Sequence, residues 1–120
     1  DNRIPPGLSV RADATDFAEA LGNLVDNAIS HATRNVVVSG APKDDKIRFT
    51  VSDDGAGIDP KDRATALERG QRLDESGAGS GLGLAITADI MRAYGGSILL
   101  DASSMGGLAV HLDWPSAADR

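Results

Sequence analysis

The stretch DATDFAEALGNLVDNAISHA, residues 13–32, has the spacing of one long amphipathic helix. The other predicted elements lie before and after this helix in the sequence. Its apolar side chains recur every three or four residues, an interval that places them on a single buried stripe. Asp13 or Thr15 is suited to cap the start of this helix. The stripe consists of Phe17, Leu21, Leu24, Val25, Ala28, Ile29 and Ala32.

The segments around this helix supply the other elements. A short helix is predicted from Pro60 to Leu67, and a longer one from Gly81 to Tyr94, before two glycines that end it. The order β-α-β-β-α-loop-α-β-β predicts an α+β two-layer sandwich, a mixed β-sheet of about five strands covered on one face by about three helices. The predicted strands are 8–10, 35–39, 47–52, 97–102 and 108–112, with a turn over 40–45.

Composition excludes several classes of protein. The 120 residues suit one domain, and 41% hydrophobic with 25% charged residues is typical of globular proteins. The net charge of −6 argues against nucleic acid as a partner, because phosphate binding needs clustered Lys and Arg. No apolar run approaches the roughly 18 residues of a membrane helix, so no direct membrane contact is expected. Aromatic residues make up only 3%, so the core is expected to be Leu, Ile, Val and Ala.

Two asparagines, Asn23 and Asn27, lie four residues apart and therefore on one side of the long helix, beside the apolar stripe. Asparagine is a poor residue for the middle of a helix, because its amide competes for backbone hydrogen bonds. An amide carbonyl is a hard oxygen ligand, suited to a Mg²⁺ ion that also holds substrate phosphates. Taken alone, the pair fits two ordinary half-exposed polar residues better than it fits a metal site.

Two glycine-containing motifs follow. In DDGAG, residues 53–57, the first carboxylate can accept a hydrogen bond from an exocyclic amine, although an acidic turn is the simpler interpretation. In GAGSGLGL, residues 77–84, glycines alternate up to the start of a helix, where successive N–H groups can turn inward and favour a phosphate site over a flexible linker. The motif lacks the Gly-Lys-Ser/Thr ending of a P-loop. Together with the asparagines, these motifs provide the parts of a nucleotide site.

In these motifs the chain resembles the catalytic ATP-binding domain of bacterial sensor histidine kinases, the HATPase_c or GHKL group with the Bergerat fold. NLVDNA at 23–28 matches the N box, DDGAGI at 53–58 the G1 box and GAGSGLGLAI at 77–86 the G2 box. The resemblance implies an ATP-binding domain over 8–114, a linker over 1–7 and a C-terminal tail over 115–120. ERGQRLD at 68–74 is most similar to PhoQ-type kinases.

The resemblance implies a role for each matching position. Asn27 would bind Mg²⁺, and Asn23 would lie close to the phosphates of ATP and take part in catalysis. Asp53 would accept the adenine amino group. Residues 68–80 would form the ATP lid, from which Arg72 would stabilise the charge of the transferring phosphoryl group. The other ATP-contacting residues would be Gly55, Gly57, Ile58, Arg69, Gln71, Gly79, Gly81, Leu82, Gly83 and Leu84.

Three positions depart from the family pattern. Ser30 stands where many relatives carry lysine, His31 where tyrosine is usual, and Leu67 where phenylalanine is expected. A basic contact to the phosphates is therefore missing at position 30. One of Arg34, Arg69 or Arg72 is expected to replace it.

One position separates phosphoryl transfer from hydrolysis. Hydrolysing relatives carry a glutamate four residues before the metal-binding asparagine, where this chain has Asn23, which cannot take a proton. The resemblance therefore implies transfer of the γ-phosphate to a protein histidine. The alternatives are an anti-sigma-type serine kinase or ATP-binding switch of the same fold, a gyrase-like ATPase, and a nucleotide-independent interaction module.

A histidine kinase also needs a phosphoacceptor histidine on a separate dimeric helical hairpin. The two histidines here, His31 and His111, are expected to be packed or hydrogen-bonded instead. The resemblance implies that the dimerisation and phosphoacceptor domain is a partner absent from this chain, with a response regulator as an indirect one. It further implies a monomeric fragment of a homodimeric sensor, in the cytoplasmic portion of an inner-membrane protein.

Overall fold

A computed structural model of the chain describes residues 2–4, 10, 12–67 and 80–116, with the backbone alone for 80–83. No helix in these ranges is long and apolar enough to cross a membrane. The elements are β1 (Asn2–Arg3), α1 (Ala14–His31), β2 (Val36–Lys43), β3 (Lys46–Asp53), a 3₁₀ turn (Pro60–Asp62), α2 (Arg63–Ala66), α3 (Ser80–Ala93), β4 (Ser97–Ala102) and β5 (Leu108–Pro115).

The strands form one sheet in the order β1-β2-β3-β5-β4. Only β1 and β2 pair in parallel, and the other neighbours are antiparallel, so the sheet is mixed. Alternate residues of β3, from Ile47 to Asp53, are buried beneath the helices, as the period of two along a strand requires. The predicted two-layer sandwich of a mixed five-stranded sheet and three helices is confirmed within the described residues.

The hairpin between β2 and β3 turns later than predicted. The expected turn over 40–45 is wrong in its first four positions, because β2 continues through Pro42 to Lys43. Pro42 is tolerated because it faces Ile47 next to the closing Lys43–Lys46 pair of the hairpin. Hydrogen-bonded and non-hydrogen-bonded pairs alternate along an antiparallel ladder, so the missing N–H of this proline removes no bond between β2 and β3.

The first strand also lies elsewhere. The structure places β1 at Asn2–Arg3, inside the segment 1–7 that was expected to be a linker. Of the predicted strand 8–10, residues 8 and 9 lie outside the described ranges, and Val10 forms an isolated bridge with Ser116. A two-residue edge strand held by backbone pairing has no side-chain period, so its sequence gives no signal.

The core contains more aromatic packing than the composition indicated. Phe17 lies against both Phe49 and Trp114, each at 5.2 Å between ring centroids, and Tyr94 lies 5.7 Å from Trp114. These are all four aromatic residues of the chain. The prediction of a purely aliphatic core is therefore wrong, because four residues separated in the sequence meet where α1 crosses the sheet.

A side-chain bridge ties the end of α3 to the start of α1. Tyr94, directly after α3, donates its hydroxyl hydrogen to Asp16 Oδ2 at 2.5 Å and accepts from the N–H of Asp13 at 3.2 Å. The bond to Asp16 raises the pKa of Tyr94. Asp13 caps α1 through its carboxylate, one of the two predicted caps. Since the end of one helix meets the start of the other, α1 and α3 run in opposite directions.

The outer face of the sheet is held by two cross-strand pairs. Arg48 on β3 binds Asp113 on β5 through two parallel hydrogen bonds, Nε to Oδ1 at 2.7 Å and Nη2 to Oδ2 at 2.8 Å. The guanidinium holds the pKa of Asp113 below its ordinary value. Thr50 Oγ1 and His111 Nδ1 form a hydrogen bond of 2.8 Å, and burial lowers the pKa of His111. The predicted hydrogen-bonded role of His111 is confirmed.

Candidate functional site

The site is built around the carboxylate at the end of β3. Asp53 continues the alternation of Ile47, Phe49 and Val51, so its side chain points to the buried face and is only 2% exposed. Its Oδ1 accepts the N–H of Gly55 at 2.8 Å and the N–H of Leu108 at 3.3 Å. Two backbone donors on one oxygen fix the rotation of the carboxylate and leave Oδ2 outside these bonds.

Two glycines after Asp53 are required by their surroundings. A Cβ atom on Gly55 would lie 2.0 Å from the backbone oxygen of His31, so only glycine allows the end of α1 to approach this turn. Gly57 has φ of +74°, in the left-handed region that side chains avoid. The first turn of the motif is therefore fixed against the last turn of α1, and Ile58 packs beside the core.

A third glycine, Gly107, completes this wall and was not predicted. It lies in the turn between β4 and β5, where a Cβ atom would be 2.2 Å from Asp53 Oδ1. The only sequence signal was a pair of neighbouring glycines between two strands, which is also common in ordinary hairpins. The structure thus brings the end of β3, the end of α1 and the β4–β5 turn to one place.

The two asparagines of α1 differ in burial. Asn27 is 7% exposed, and Asn23, one turn earlier, is half-buried. His31 Nδ1 lies 2.8 Å from the backbone oxygen of Asn27; because a carbonyl only accepts, this nitrogen carries the hydrogen. The predicted hydrogen-bonded role of His31 is confirmed, and Ser30 Oγ likewise donates to the backbone oxygen of Asp26 at 3.0 Å.

The second aspartate of the motif fastens the loop that follows α1. Asp54 accepts hydrogen bonds from three successive backbone N–H groups, those of Thr33, Arg34 and Asn35, at 2.8 to 3.1 Å. The bond from Arg34 is the main cause of a lowered pKa for Asp54. Its neighbour Asp53 faces the site, so the two adjacent aspartates serve different purposes.

Protonation of Asp54 at acid pH should weaken its hydrogen bonds to the loop that follows α1. Because its folded-state pKa is below the ordinary 3.8, Asp54 stabilises the fold fully above 3.8, and the contribution is lost as pH falls through the lower folded value. We expect Asp54→Asn to unfold at a lower temperature than wild type near neutral pH. The difference should shrink below 3.8 in thermal unfolding followed by circular dichroism.

The exposed Asp59 supplies a matched control, because its side chain makes no capping hydrogen bond. Asp59→Asn should follow the wild-type melting curve at every pH. A melting difference for Asp54→Asn that stays constant from neutral pH to acid would contradict this role for the carboxylate.

The remaining predicted site residues lie on or before α3. Gly81, Leu82 and Gly83 fall in its first turn, and the side chain of Leu84 is buried in the core. The predicted lid 68–80 lies outside the described residues except for Ser80, which begins α3. The residues of the prediction that the structure does not describe are Arg69, Gln71, Arg72 and Gly79.

The described ranges contain no group of three or more His, Cys, Asp or Glu side chains that could hold a metal ion. The buried amide of Asn27 is a single hard oxygen donor. Such a donor fits Mg²⁺ that arrives with phosphate oxygens and keeps part of its water, the usual state of this ion in nucleotide sites. It does not fit a metal held by the protein alone.

Sequence similarity to a known protein family agrees with this fold. Residues 12–118 match the family of histidine kinase-, DNA gyrase B- and HSP90-like ATPases, and the chain belongs to that family.

The individual relatives are sensor kinases. The chain is 47% identical over 111 residues to the sensor protein kinase CarS of Pseudomonas aeruginosa, and 38% identical over 104 residues to the virulence sensor histidine kinase PhoQ of Salmonella typhimurium. These alignments cover 92% and 87% of the chain but only 25% and 21% of the two relatives. The chain thus spans about a quarter or less of their length.

Solved structures of sensor histidine kinases have the same fold as this chain. A mycobacterial sensor histidine kinase, MprB, superposes with a TM-score of 0.83 at 29% identity, covering 97% of this chain and 80% of that one. Full-length ShkA in complex with AMPPNP superposes with a TM-score of 0.81 at 28% identity, covering 97% of this chain and 26% of that one. The sequence-based assignment to the histidine kinase ATP-binding domains is confirmed.

Proposed function

We propose that this chain is the catalytic ATP-binding domain of a two-component sensor histidine kinase. It binds Mg-ATP and transfers the γ-phosphate to a phosphoacceptor histidine on a separate helical-hairpin domain. The observation that carries the proposal is the buried carboxylate of Asp53, fixed through Oδ1 by the N–H groups of Gly55 and Leu108. A buried carboxylate with an oxygen outside those bonds is suited to a ligand that brings its own donor.

Adenine is the base that this arrangement favours. Its exocyclic amine donates a hydrogen bond, and an ionised carboxylate only accepts. Gly55 and Gly57 keep side chains away from the turn, so a flat ring can approach the backbone beside Ile58. The complex of the similar kinase ShkA with AMPPNP, an adenine nucleotide, supports the same choice.

The geometry of the helices supports a phosphate and metal site next to the base. α1 and α3 pack together in opposite directions, joined where Tyr94 meets the start of α1. The 14 residues of α3 span about 21 Å at 1.5 Å per residue, which is the distance along α1 from Asp13 to Asn27. We therefore infer that the glycines that begin α3 lie level with Asn27, where their N–H groups favour phosphate.

In this arrangement Asn27 binds Mg²⁺, and Asn23 lies next to the phosphates. On the resemblance of the lid segment, Arg72 stabilises the charge on the transferring group, with Arg69 and Gln71 also contacting the phosphates. The acceptor imidazole nitrogen forms a bond to the γ-phosphorus, the bond from that phosphorus to the β,γ-bridging oxygen breaks, and ADP leaves. Asn23 has no basic group to activate water, which favours transfer over hydrolysis.

The partners follow from this role. The hairpin that carries the histidine belongs to the same sensor, which we infer to be a homodimer, while this fragment is a monomer. A response regulator receives the phosphate from that histidine. The domain works in the cytoplasmic portion of a sensor in the inner membrane.

Phosphotransfer in trans tests the proposal. A dimeric hairpin from a related sensor kinase, incubated with this domain, Mg²⁺ and ATP labelled at the γ-phosphate, should acquire label that is stable in base and released by acid. The same mixture with Asn27→Ala should label far more slowly. A domain that binds ATP yet labels no histidine, and instead labels serine on a partner, would contradict the kinase assignment.

A further inference from the structure

The glycine turn between β4 and β5 packs directly against the carboxylate of Asp53. We propose that Gly107 is a positioning residue that holds this carboxylate in the orientation that selects adenine, so that the turn sets the base specificity of the site. The inference rests on the proposed nucleotide-binding function and adds to it the element that determines the base.

The first observation is steric. A Cβ atom at Gly107 would lie 2.2 Å from Asp53 Oδ1, 2.5 Å from the backbone oxygen of Asp53 and 2.6 Å from the backbone nitrogen of Gly55. Two of these three atoms belong to the backbone and cannot rotate away. Any side chain at position 107 must therefore move the end of β3, where the base-binding carboxylate is attached.

The second observation is the hydrogen bonding of Oδ1. Leu108, the residue after Gly107, donates its N–H to Oδ1 at 3.3 Å, and Gly55 donates to the same oxygen at 2.8 Å. The donors come from two different elements and meet on one oxygen, which fixes the plane of the carboxylate. Oδ2 is consequently aimed by the position of the turn and not by the Asp53 backbone alone.

The turn is itself held firmly. The N–H of Ser103 donates to the backbone oxygen of Gly107 at 2.8 Å, and the N–H of Gly106 donates to the backbone oxygen of Ser103 at 3.0 Å. Ser103 Oγ also accepts the N–H of Met105 at 3.0 Å, and this serine is only 8% exposed. A turn fixed by these bonds can hold a neighbouring side chain in one orientation.

The orientation of the Asp53 carboxylate matters because this carboxylate distinguishes purine bases by a single exocyclic group. Adenine presents an amine to Oδ2, whereas guanine and hypoxanthine present a carbonyl oxygen, which an acceptor repels. Unsubstituted purine presents neither. The preference for ATP over purine riboside 5′-triphosphate therefore reports the hydrogen bond of Oδ2 alone, and general loss of stability leaves that ratio unchanged.

The test compares the Kd values of these two nucleotides, with Mg²⁺, in wild type, Gly107→Ala and Gly22→Ala. We expect wild type to prefer ATP roughly tenfold or more, since the lost bond involves a charged acceptor. Gly107→Ala should reduce the preference to near one by weakening ATP binding, with a much smaller change for the analogue. Gly22 has no atom within 4 Å of an added Cβ, so Gly22→Ala is a matched control that keeps the wild-type ratio.

Ser103→Ala is a second variant that loosens the turn and keeps Gly107, and it should lower the ratio in the same direction by a smaller factor. A folded Gly107→Ala that retains the wild-type preference would overturn the inference. If Gly107→Ala does not fold, an unchanged ratio in Ser103→Ala overturns it. Wild type that binds neither nucleotide would contradict the proposed function instead.

Discussion

Asp53→Asn should weaken ATP binding roughly 10- to 100-fold, the loss expected when a hydrogen bond to a charged acceptor is replaced by an unfavourable contact. Asn has nearly the same shape, and its amide oxygen can still accept the N–H groups of Gly55 and Leu108. Its amide nitrogen would then occupy the position of Oδ2 and face the adenine amine, donor against donor. Isothermal calorimetry with ATP and Mg²⁺ measures the change.

The control for this variant is Asp59→Asn, the same substitution on an exposed carboxylate a few residues away. It should bind ATP as wild type does. Equal ATP affinity in Asp53→Asn and wild type would show that the buried carboxylate does not contact the base.

Asn27→Ala should abolish the dependence of ATP affinity on Mg²⁺. In wild type we expect Mg²⁺ to increase the affinity about 10- to 100-fold, within the usual range for coupling between two ligands. Without the amide oxygen, titrations with Mg²⁺ and with EDTA should give nearly the same Kd. Alanine is a better helix former than asparagine, so α1 should remain intact by circular dichroism.

A second substitution at Asn27 distinguishes a role in metal binding from a role in packing. Asn27→Asp keeps an oxygen ligand of similar size, and it should therefore retain a Mg²⁺ dependence that Asn27→Ala lacks. If Asn27→Ala and wild type respond equally to Mg²⁺, the amide is not a metal ligand, and Asn27 serves only to pack α1 against its neighbours.

Local periodicity was sufficient to predict most of the fold. The stripe of α1 and the alternation of β3 are properties of neighbouring residues, so both elements and the buried face of β3 follow from the sequence. The predicted stripe of α1 is wrong at Ile29, which is 62% exposed, and it left out Ala20, which is buried. Asp53 was predicted as a site residue for the same reason, because it ends an alternating strand immediately before two glycines. The position of the hairpin turn was missed because Pro42 breaks strands in general, but not where its N–H takes no part in the β2–β3 ladder.

The parts of the site that escaped prediction depend on contacts between distant segments. Asp54 binds N–H groups that lie 19 to 21 residues earlier, and Leu108 donates to a carboxylate 55 residues earlier. Neither contact leaves a pattern of spacing in the sequence. The same is true of Gly107, whose requirement for glycine comes from Asp53 and becomes visible only when the two strands are paired.

We propose that three segments, around Asn27, Asp53 and the start of α3, form one site for Mg-ATP. The most direct test is titration of the ¹⁵N-labelled domain with AMPPNP and Mg²⁺, followed by backbone amide NMR. Signals of Asn27, Gly55 and Gly83 should shift together and give a single Kd. Shifts confined to one segment, different Kd values for the three, or no response to the nucleotide would show that they do not form a single nucleotide site.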